Sequence, residues 1–391
     1  MQKAYVVVLA RGINGLGALR SAHHAGLRAY AIVDKPRDLS VYSRMSVGIV
    51  TLPLDFGLEA LRPVLARLAS QEGGPGVLIA CSDATAELLS DLKETGYSEH
   101  HIIAPTSEAT RILNDKQLEC RVMEDGGVSL PRTYYELDCD EPDTFPIIIK
   151  PRTFRDYQTL KAKNLVIYSQ EEFERFRSRF KSQLNRFLGQ EVIPGTDDNL
   201  WVCNATFNQN HELSACFVFN RLGTMPSHYG VTSLAISRDN PELRAWCQKI
   251  GQSLRYCGPA MIEFKRDPRT GTYYYLETNP RLGMCNWFDT RCGVNNILAC
   301  VQVAHGNPVN FVSQKNNRVY WNFFGDLIAR LESREKLFLI SVRYLRLLFY
   351  HRIGALFYWR DPVPAAKYAM DMIWNITRRV IKRLLSIRIK P

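Results

Sequence analysis

Two carboxylates and an amide side chain lie on a predicted β-hairpin in the third quarter of the chain. Its first strand, Pro259–Lys265, bears Glu263, and its second strand begins at Tyr273 and bears Glu277 and Asn279. A turn that contains proline and glycine joins the strands. Because side chains alternate between the faces of a strand, Glu277 and Asn279 share one face, and Glu263 can meet them. These hard oxygen ligands predict a Mg²⁺ site that bridges nucleotide phosphates.

Three basic residues are spaced so that they could complement such phosphates. Arg281 follows directly after Asn279 and Pro280, and its planar guanidinium suits a phosphoryl group. Lys116 opens a short predicted helix, and Lys150 ends a strand-like run. Either lysine alone is more often a solvated surface residue, but the pair beside an acidic hairpin predicts a polyphosphate site.

The run 189–195, with the sequence GQEVIPG, indicates a strand that leads into a turn. Such a strand can offer backbone groups to the edge of an adenine ring, and Asp197 or Asp198 just after it can bind ribose hydroxyls. Taken in isolation, an ordinary strand and turn is the preferred interpretation.

Apolar runs at 4–10, 29–33, 77–81 and 102–104 alternate with helical stretches. This rhythm predicts an open parallel α/β sheet. The turn after the first run contains Gly12, Gly15 and Gly17, and with Asp34 it suggests a dinucleotide site. The spacing is wrong, however, since only one residue separates the last two glycines. We therefore predict a structural turn, which can also face a small substrate.

The middle of the chain changes character. Helices are predicted at 107–113 and 115–125, and mixed α+β structure from 147 to about 310. At 391 residues the chain predicts two or three packed units, and its 46% hydrophobic and 23% charged residues indicate a globular protein. Ten scattered cysteines without a Cys-x-x-Cys pair, and a start without signal-peptide features, predict a cytoplasmic protein with reduced thiols.

The last sixty residues are aromatic and basic. Residues 331–391 carry thirteen Lys or Arg and four Asp or Glu, a net charge of +9 out of +11 for the chain. Arginines interrupt the apolar run 336–350 before it reaches the roughly 20 residues of a membrane span. Farther on, one face of a predicted amphipathic helix is apolar and the other cationic. The apolar face consists of Ile373, Ile376, Val380, Leu384 and Ile387.

Such a helix suits an anionic membrane surface. We therefore predict a peripheral position on the inner face of the membrane, with a lipid-linked acceptor or carrier as the hypothesis that follows. The alternative is a helical hairpin packed on the protein with its arginines solvated. A nucleic-acid partner is not predicted, because the basic residues lie on apolar helices without a recognisable nucleic-acid fold.

The order of these motifs resembles the ATP-grasp superfamily, and most closely its carboxylate–amine ligases, including predicted ATP-dependent carboligases. The resemblance covers roughly residues 1–310. It implies a preATP-grasp α/β domain (1–105), an ATP-grasp domain with the nucleotide between its two subdomains (106–310) and a C-terminal basic helical region (311–391). It also implies an enzyme that uses ATP and Mg²⁺, with Mn²⁺ as an alternative metal, to join a carboxylate to an amine through an acyl phosphate.

The resemblance implies a role for each matched residue. These roles are Lys116 and Lys150 for nucleotide phosphates, Glu191, Val192 and Ile193 for adenine, Asp198 or less securely Asp197 for ribose, Glu263, Glu277 and Asn279 for Mg²⁺, Arg281 for the transferred phosphoryl group, and Arg221 for phosphate or substrate.

One segment departs from the family's pattern. The family usually carries a glycine-rich loop over the triphosphate, whereas residues 152–163 contain no glycine. Thr153, Arg155 or Lys163 would then contact phosphate. This departure favours a second hypothesis, a catalytically weak ATP-binding, membrane-associated scaffold or regulatory protein. A third, an NAD-dependent oxidoreductase, depends on the first glycine turn alone.

Overall fold

The chain is described by a computed structural model over residues 4–53, 56–226, 230–308 and 311–387. Within these residues the strands form a five-stranded, a four-stranded and a seven-stranded sheet. The first is parallel, and the others are antiparallel except for one edge pair. This confirms the predicted combination of an open parallel α/β unit with an α+β unit.

The five-stranded sheet has the order β3-β2-β1-β4-β5. The strand order reverses between β1 and β4, which is where open α/β sheets leave a crevice for ligands at the carboxyl ends of their strands. Its elements are β1 (Tyr5–Leu9), α1 (Gly12–His24), β2 (Arg28–Val33), β3 (Gly48–Thr51), α2 (Leu58–Glu72), β4 (Val77–Ala80), α3 (Asp83–Glu94) and β5 (His101–Ile102).

The glycines of the first turn have structural reasons. Gly12 has a φ of +55°, a backbone conformation that residues with a side chain rarely adopt. A Cβ on Gly17 would lie 2.5 Å from Oδ1 of Asn286, so the helix approaches a distant segment closely at that point. These contacts support the prediction of a structural turn.

Two capped helices lead into the four-stranded sheet. Thr106 accepts from the backbone N–H of Ala109, and Asp115 from that of Gln117, so each helix begins where a side chain satisfies a free N–H group. The sheet has the order β6-β9-β7-β8. These elements are α4 (Ser107–Leu113), α5 (Lys116–Asp125), β6 (Thr133–Tyr134), β7 (Ile147–Pro151), α6 (Tyr157–Leu160), β8 (Leu165–Ile167), α7 (Gln170–Arg179) and β9 (Phe187–Glu191).

The seven-stranded sheet has the order β14-β13-β10-β11-β12-β15-β16. Alternation along β11 sends Cys216 and Val218 into one core and Phe217 and Phe219 into another, so the sheet is buried on both faces. The elements before its last strand are β10 (Leu200–Phe207), β11 (Leu213–Met225), β12 (Val231–Ser237), α8 (Pro241–Ser253), β13 (Gly258–Arg266), β14 (Tyr273–Asn279), α9 (Asn286–Arg291), α10 (Asn296–Ala304) and β15 (Arg318–Trp321).

The C-terminal region is helical apart from β16, a strand that the sequence did not predict. β16 pairs in parallel with β15 and so extends the seven-stranded sheet. The domain boundaries near residues 105 and 310 stay predictions. No helix among the described residues has the length and apolarity to span a membrane. The elements are α11 (Phe323–Glu332), α12 (Leu337–Leu347), β16 (His351–Gly354) and α13 (Val363–Ile387).

Only part of the predicted amphipathic face can be located. Ile373 lies on α13, and 64% of its surface is exposed. The side chains of Ile376, Val380, Leu384 and Ile387 lie outside the described residues.

Candidate functional site

The acidic hairpin forms as the sequence predicts. β13 and β14 are antiparallel, with Glu263 directly opposite Glu277 and Met261 opposite Asn279. Ile262 alternates with these residues and is buried in the core under α8. The acids therefore lie on the face of the hairpin that points away from that core.

Direct contacts connect the polar residues of the hairpin. Asn279 donates from Nδ2 to Glu277 at 3.4 Å, and Arg281 donates from Nη2 to Oδ1 of Asn279 at 3.1 Å. Arg221, on β11, reaches across β10 and donates from Nη2 to Oε1 of Glu263 at 2.6 Å. The structure thus brings together the four residues predicted for the metal and the transferred phosphoryl group, and with them Arg221, which was predicted for phosphate or substrate.

The two predicted lysines reach the same region from other elements. Lys116, at the start of α5, places Nζ 3.2 Å from Oε2 of Glu277. Lys150, on β7, donates to Oε1 of Gln190 at 2.6 Å. Because Lys150 belongs to the four-stranded sheet and Glu277 to the seven-stranded sheet, the site lies between the two sheets.

Burial and mutual attraction set the protonation of these groups. Burial alone would raise the pKa of Glu277, but Lys116, Lys163 and Lys150 hold that pKa well below its usual range. Burial would lower the pKa of Lys116, but Glu277 and Glu119 outweigh it and raise that pKa. The pKa of Lys150 is lowered, by burial first and by neighbouring Lys116 second. The three ammonium groups outnumber the carboxylates of Glu277 and Glu119 and leave an excess of positive charge, which suits a polyphosphate.

The predicted adenine-binding segment follows β9. The backbone N–H of Glu191 donates to Arg132 O at 2.9 Å, and that of Val192 donates to Pro146 O at 3.1 Å. Within the part of the chain that the structure describes, the N–H of Ile193 has no such acceptor. Of the three, Ile193 therefore retains a backbone donor for a ligand.

The two candidate ribose ligands differ in position. Asp198 is exposed, and its carboxylate accepts from Thr196 in its own turn. Asp197 is half-buried and accepts from Thr224 of β11 at 2.7 Å. It also lies near Lys265 of β13. Burial lowers the pKa of Lys265, and the negative charge of Asp197 offsets part of that lowering. The structure thus places Asp197, the less favoured candidate, nearer to the hairpin.

The glycine-free segment 152–163 forms a compact turn between β7 and β8. Thr153 caps a short 3₁₀ turn, and its backbone N–H donates to Asp156 at 3.1 Å. Helix α6 follows and ends at Leu160, and the next residue, Lys161, has a φ of +56°. Side-chain capping therefore orders this segment, which has no glycine. Lys163 lies at its end, and its positive charge lowers the pKa of Glu277.

Sequence reasoning missed two acidic residues at the site. Glu119 is buried and accepts from the hydroxyl of Tyr275 at 2.5 Å and the N–H of Thr278 at 2.8 Å, which fixes β14 beside α5. An acid on the apolar face of a short helix was the available signal. Asp83, at the start of α3, lies 3.0 Å from Nε of Arg281, and no local pattern marks that contact.

The chain has the ATP-grasp fold, which the solved structures similar to it share. It is similar to the N5-carboxyaminoimidazole synthetase of Staphylococcus aureus, with a TM-score of 0.64, 15% identity and 86% of each chain covered. It is also similar to the biotin carboxylase domain of the Hydrogenobacter thermophilus 2-oxoglutarate carboxylase in complex with MgADP and bicarbonate. There the TM-score is 0.60 at 15% identity, over 82% of this chain and 74% of that one.

Two relatives are similar in sequence. The D-aspartate ligase of Enterococcus faecium is 26% identical over 242 residues, which cover 56% of each chain. The carbamoyl phosphate synthase large chain of Thermomicrobium roseum is 23% identical over 287 residues, 69% of this chain and 26% of that one. The match therefore spans about half of the first relative and a quarter of the second. No protein-family model matches the chain.

Proposed function

We propose that the protein is an ATP-dependent ligase that activates a carboxylate as an acyl phosphate and joins it to an amine. The observation that carries this proposal is the cluster of Lys116, Lys150 and Lys163 around Glu277, with Arg281 beside it. Fixed cations are needed where a triphosphate and a carboxylate must approach each other.

The residues present fit Mg²⁺ bound to a nucleotide. Two carboxylates and an amide oxygen, from Glu263, Glu277 and Asn279, are hard ligands, and both acids are ion-paired with cations in the free protein. Bound Mg²⁺ would neutralise charge on the phosphates. In this proposal Lys116 and Lys150 hold phosphate oxygens, the segment 191–193 holds adenine, and Asp198 or Asp197 holds ribose.

The reaction requires positioning rather than a protein nucleophile. A carboxylate oxygen attacks the γ-phosphorus, and ADP leaves as the acyl phosphate forms. The amine then attacks the acyl carbon, phosphate leaves, and the amine loses a proton. Arg281 and Arg221 hold negative charge on the transferred phosphoryl group and the carboxylate, which lowers the cost of bringing anions together.

An acidic amino acid is the substrate class that the comparisons favour, because the name of one relative is D-aspartate ligase. The test is ADP formation by the full chain with ATP, Mg²⁺, D-aspartate and a pool of primary amines. We expect ADP and phosphate in equal amounts, with an amide product, when both substrates are present. ADP formation that is indifferent to both would contradict the proposal.

The alternative, an ATP-binding scaffold with little catalytic activity, is favoured by the absence of glycine from residues 152–163. It predicts Mg²⁺-dependent ATP binding without ADP formation for any acid and amine pair. The ordered turn at these residues, with Lys163 near Glu277, favours the enzyme instead.

We further propose that residues 331–391 bind an anionic membrane surface and that the acceptor is lipid-linked, with the protein peripheral on the cytoplasmic face. Phe338, Phe349, Trp359 and Trp374 expose 74%, 90%, 68% and 68% of their surfaces. Ring contacts connect α12 to α13 through α11, from Tyr344 to Phe323 and from Phe324 to Tyr368, so these helices are neighbours. Exposed aromatic residues among arginines suit an anionic lipid interface.

Substitution of both Phe349 and Trp359 by Ser should weaken binding to vesicles that contain phosphatidylglycerol by about a hundredfold, since each residue loses about 1.4 kcal/mol of apolar transfer and each such loss is about tenfold in affinity. Vesicle sedimentation measures this. Tyr168→Ser is the matched control, because Tyr168 is 68% exposed elsewhere. Equal binding by both variants and the unchanged protein would refute the membrane surface, as would equal binding to phosphatidylcholine alone.

A further inference from the structure

Three cysteines that are far apart in the sequence meet in the core of the seven-stranded sheet. Cys203 lies on β10, Cys216 on β11 and Cys247 on α8, and all three belong to the hydrophobic core under that helix. Their sulfur atoms lie within 4.8 Å of one another. Among the described residues, no other set of three His, Cys, Asp or Glu side chains brings its ligand atoms so close together. The three thiols therefore form a candidate ligand site.

The pairing of two strands brings the thiols together. In the antiparallel pair of β10 and β11, Cys203 lies opposite Val218, and Cys216 lies opposite Ala205. The two cysteines are therefore diagonal neighbours on one face of the sheet. Cys247 comes from the helix that packs on this face. Because the contact depends on strand register and helix packing, the spacing of the cysteines in the sequence does not reveal it.

The sheet separates this cluster from the acidic hairpin's polar face. Glu263 lies opposite Val202, and Val202 packs in the core on the other side of the sheet. Cys203 follows Val202 and points to the opposite face, towards α8. The thiol cluster is therefore independent of the proposed reaction.

The burial of the cluster limits the charge that a ligand can leave there. Cys203 and Cys247 are 0% exposed and Cys216 is 3% exposed. A thiol that coordinates a metal loses its proton, so three ligating thiols carry three negative charges. Zn²⁺ would leave one of these charges uncancelled and Cu⁺ would leave two, which is unfavourable in an apolar core. Arg244 acts on Cys216, but it is already ion-paired with Asp239. A trivalent centre gives a neutral complex.

The number of ligands favours the same kind of centre. Structural zinc takes four protein ligands, and the described part of the chain adds no fourth His, Cys, Asp or Glu to the cluster. Trivalent arsenic forms three bonds and keeps a lone pair on its fourth side. Bonds of about 2.3 Å, the length of a zinc–sulfur bond, hold three sulfurs about 3.5–4 Å apart, so each sulfur would move by less than about 1 Å.

We propose that Cys203, Cys216 and Cys247 together bind trivalent arsenic, supplied as arsenous acid. Three S–H and three As–O bonds break, three As–S bonds form, and three water molecules leave. The oxidation states of arsenic and sulfur do not change. Arsenous acid is uncharged at neutral pH and the product is uncharged too, so no charge is buried. The three bonds connect β10, β11 and α8.

Mass spectrometry of the full chain with sodium arsenite counts the thiols that react. The chain is first reduced with a phosphine, which does not compete for arsenic as a dithiol would. We expect one adduct per chain, with a gain of one arsenic atom and a loss of three hydrogens. Arsenic X-ray absorption should show three sulfur neighbours and no oxygen. The thermal midpoint should rise with arsenite concentration, because the ligand binds the folded chain.

Variants locate the site. Cys203→Ala, Cys216→Ala and Cys247→Ala should each abolish the adduct that has lost three hydrogens and weaken arsenite binding by about tenfold or more, since one of three bonds is lost. Cys292→Ala and Cys300→Ala are the matched controls, because both cysteines are fully buried outside the cluster. These controls should keep the adduct. Thermal unfolding checks that each variant is folded.

An adduct that retains a hydroxyl, or arsenic with an oxygen neighbour, would overturn the inference, because it would show that fewer than three thiols bind. The absence of any adduct would also overturn it, as would an adduct that survives all three cluster substitutions. Loss of the adduct in the control variants to the same extent would do so too. X-ray absorption uses the unchanged protein, so it decides the question even where an alanine variant does not fold.

Discussion

Glu277→Gln should lower the rate of substrate-dependent ADP formation by about 10²–10³-fold, the range for loss of one preorganised electrostatic group at a reaction centre. The Glu277 carboxylate lies 3.2 Å from Nζ of Lys116, and the positive charges of Lys150 and Lys163 also lower its pKa. The amide keeps the shape of the side chain but removes the charge that balances these lysines and that, in the proposed function, would bind Mg²⁺. Initial rates with saturating ATP and Mg²⁺ measure the loss.

Two comparisons make this result specific. Glu59→Gln on α2 removes one exposed carboxylate far from the site and should keep the rate within about twofold, as surface substitutions usually do. The thermal midpoint of Glu277→Gln should show that the variant is folded. A folded Glu277→Gln protein that retains more than about a tenth of the rate would contradict the assignment of the hairpin to the reaction centre.

Asp361→Asn should lower the free energy of unfolding by about 3–5 kcal/mol, because it leaves a buried guanidinium without its counter-charge. Arg20 and Asp361 are both inaccessible to solvent and form an ion pair at 3.0 Å. Arg20 also donates to Leu356 O, and Asp361 also accepts from the Ser43 hydroxyl. Urea unfolding followed by fluorescence measures the change.

The ion pair of Asp371 with Lys367, which solvent reaches, provides the control, and Asp371→Asn should cost less than about 1 kcal/mol. Replacement of both buried partners by apolar residues, as in Arg20→Met with Asp361→Leu, should recover part of the loss. A change below about 1 kcal/mol in Asp361→Asn would show that the C-terminal region is not tied to helix α1 by this pair.

This ion pair also decides how the membrane surface can be tested. A chain that ends at Arg330 would lose β16 and Asp361 and leave Arg20 buried and unpaired. If such a chain failed to bind vesicles, the cause would be unfolding and not the loss of a membrane-binding surface. Point substitutions at Phe349 and Trp359 avoid that outcome.

Local patterns predicted the parts of the site that depend on local geometry. Period-two alternation placed Glu277 and Asn279 on one face because strands impose that period. The predicted helix start at residue 107 matches α4, and the one at residue 115 lies one residue before α5, whose N-cap is Asp115, because a free N–H at a helix start needs a nearby acceptor.

The remaining parts depend on contacts between distant segments. β3 is only four residues long, and its pairing with β2 gives it order that its sequence does not signal. β16 forms by pairing with β15. Asp83 and Arg281 are nearly two hundred residues apart in the sequence, so no local sequence pattern predicts their ion pair. Asp197 and Asp198 are adjacent, and contacts with distant strands distinguish them, since Asp197 accepts from Thr224 and lies near Lys265.

Transfer of ¹⁸O from a labelled carboxylate tests most directly whether the cluster of lysines and carboxylates activates an acid. With D-aspartate labelled in its side-chain carboxylate, ATP and an amine acceptor, one ¹⁸O atom should appear in each phosphate released and one should remain in the amide. Phosphate that contains no ¹⁸O, with both labelled atoms retained in the amino acid while ADP accumulates, would contradict the account.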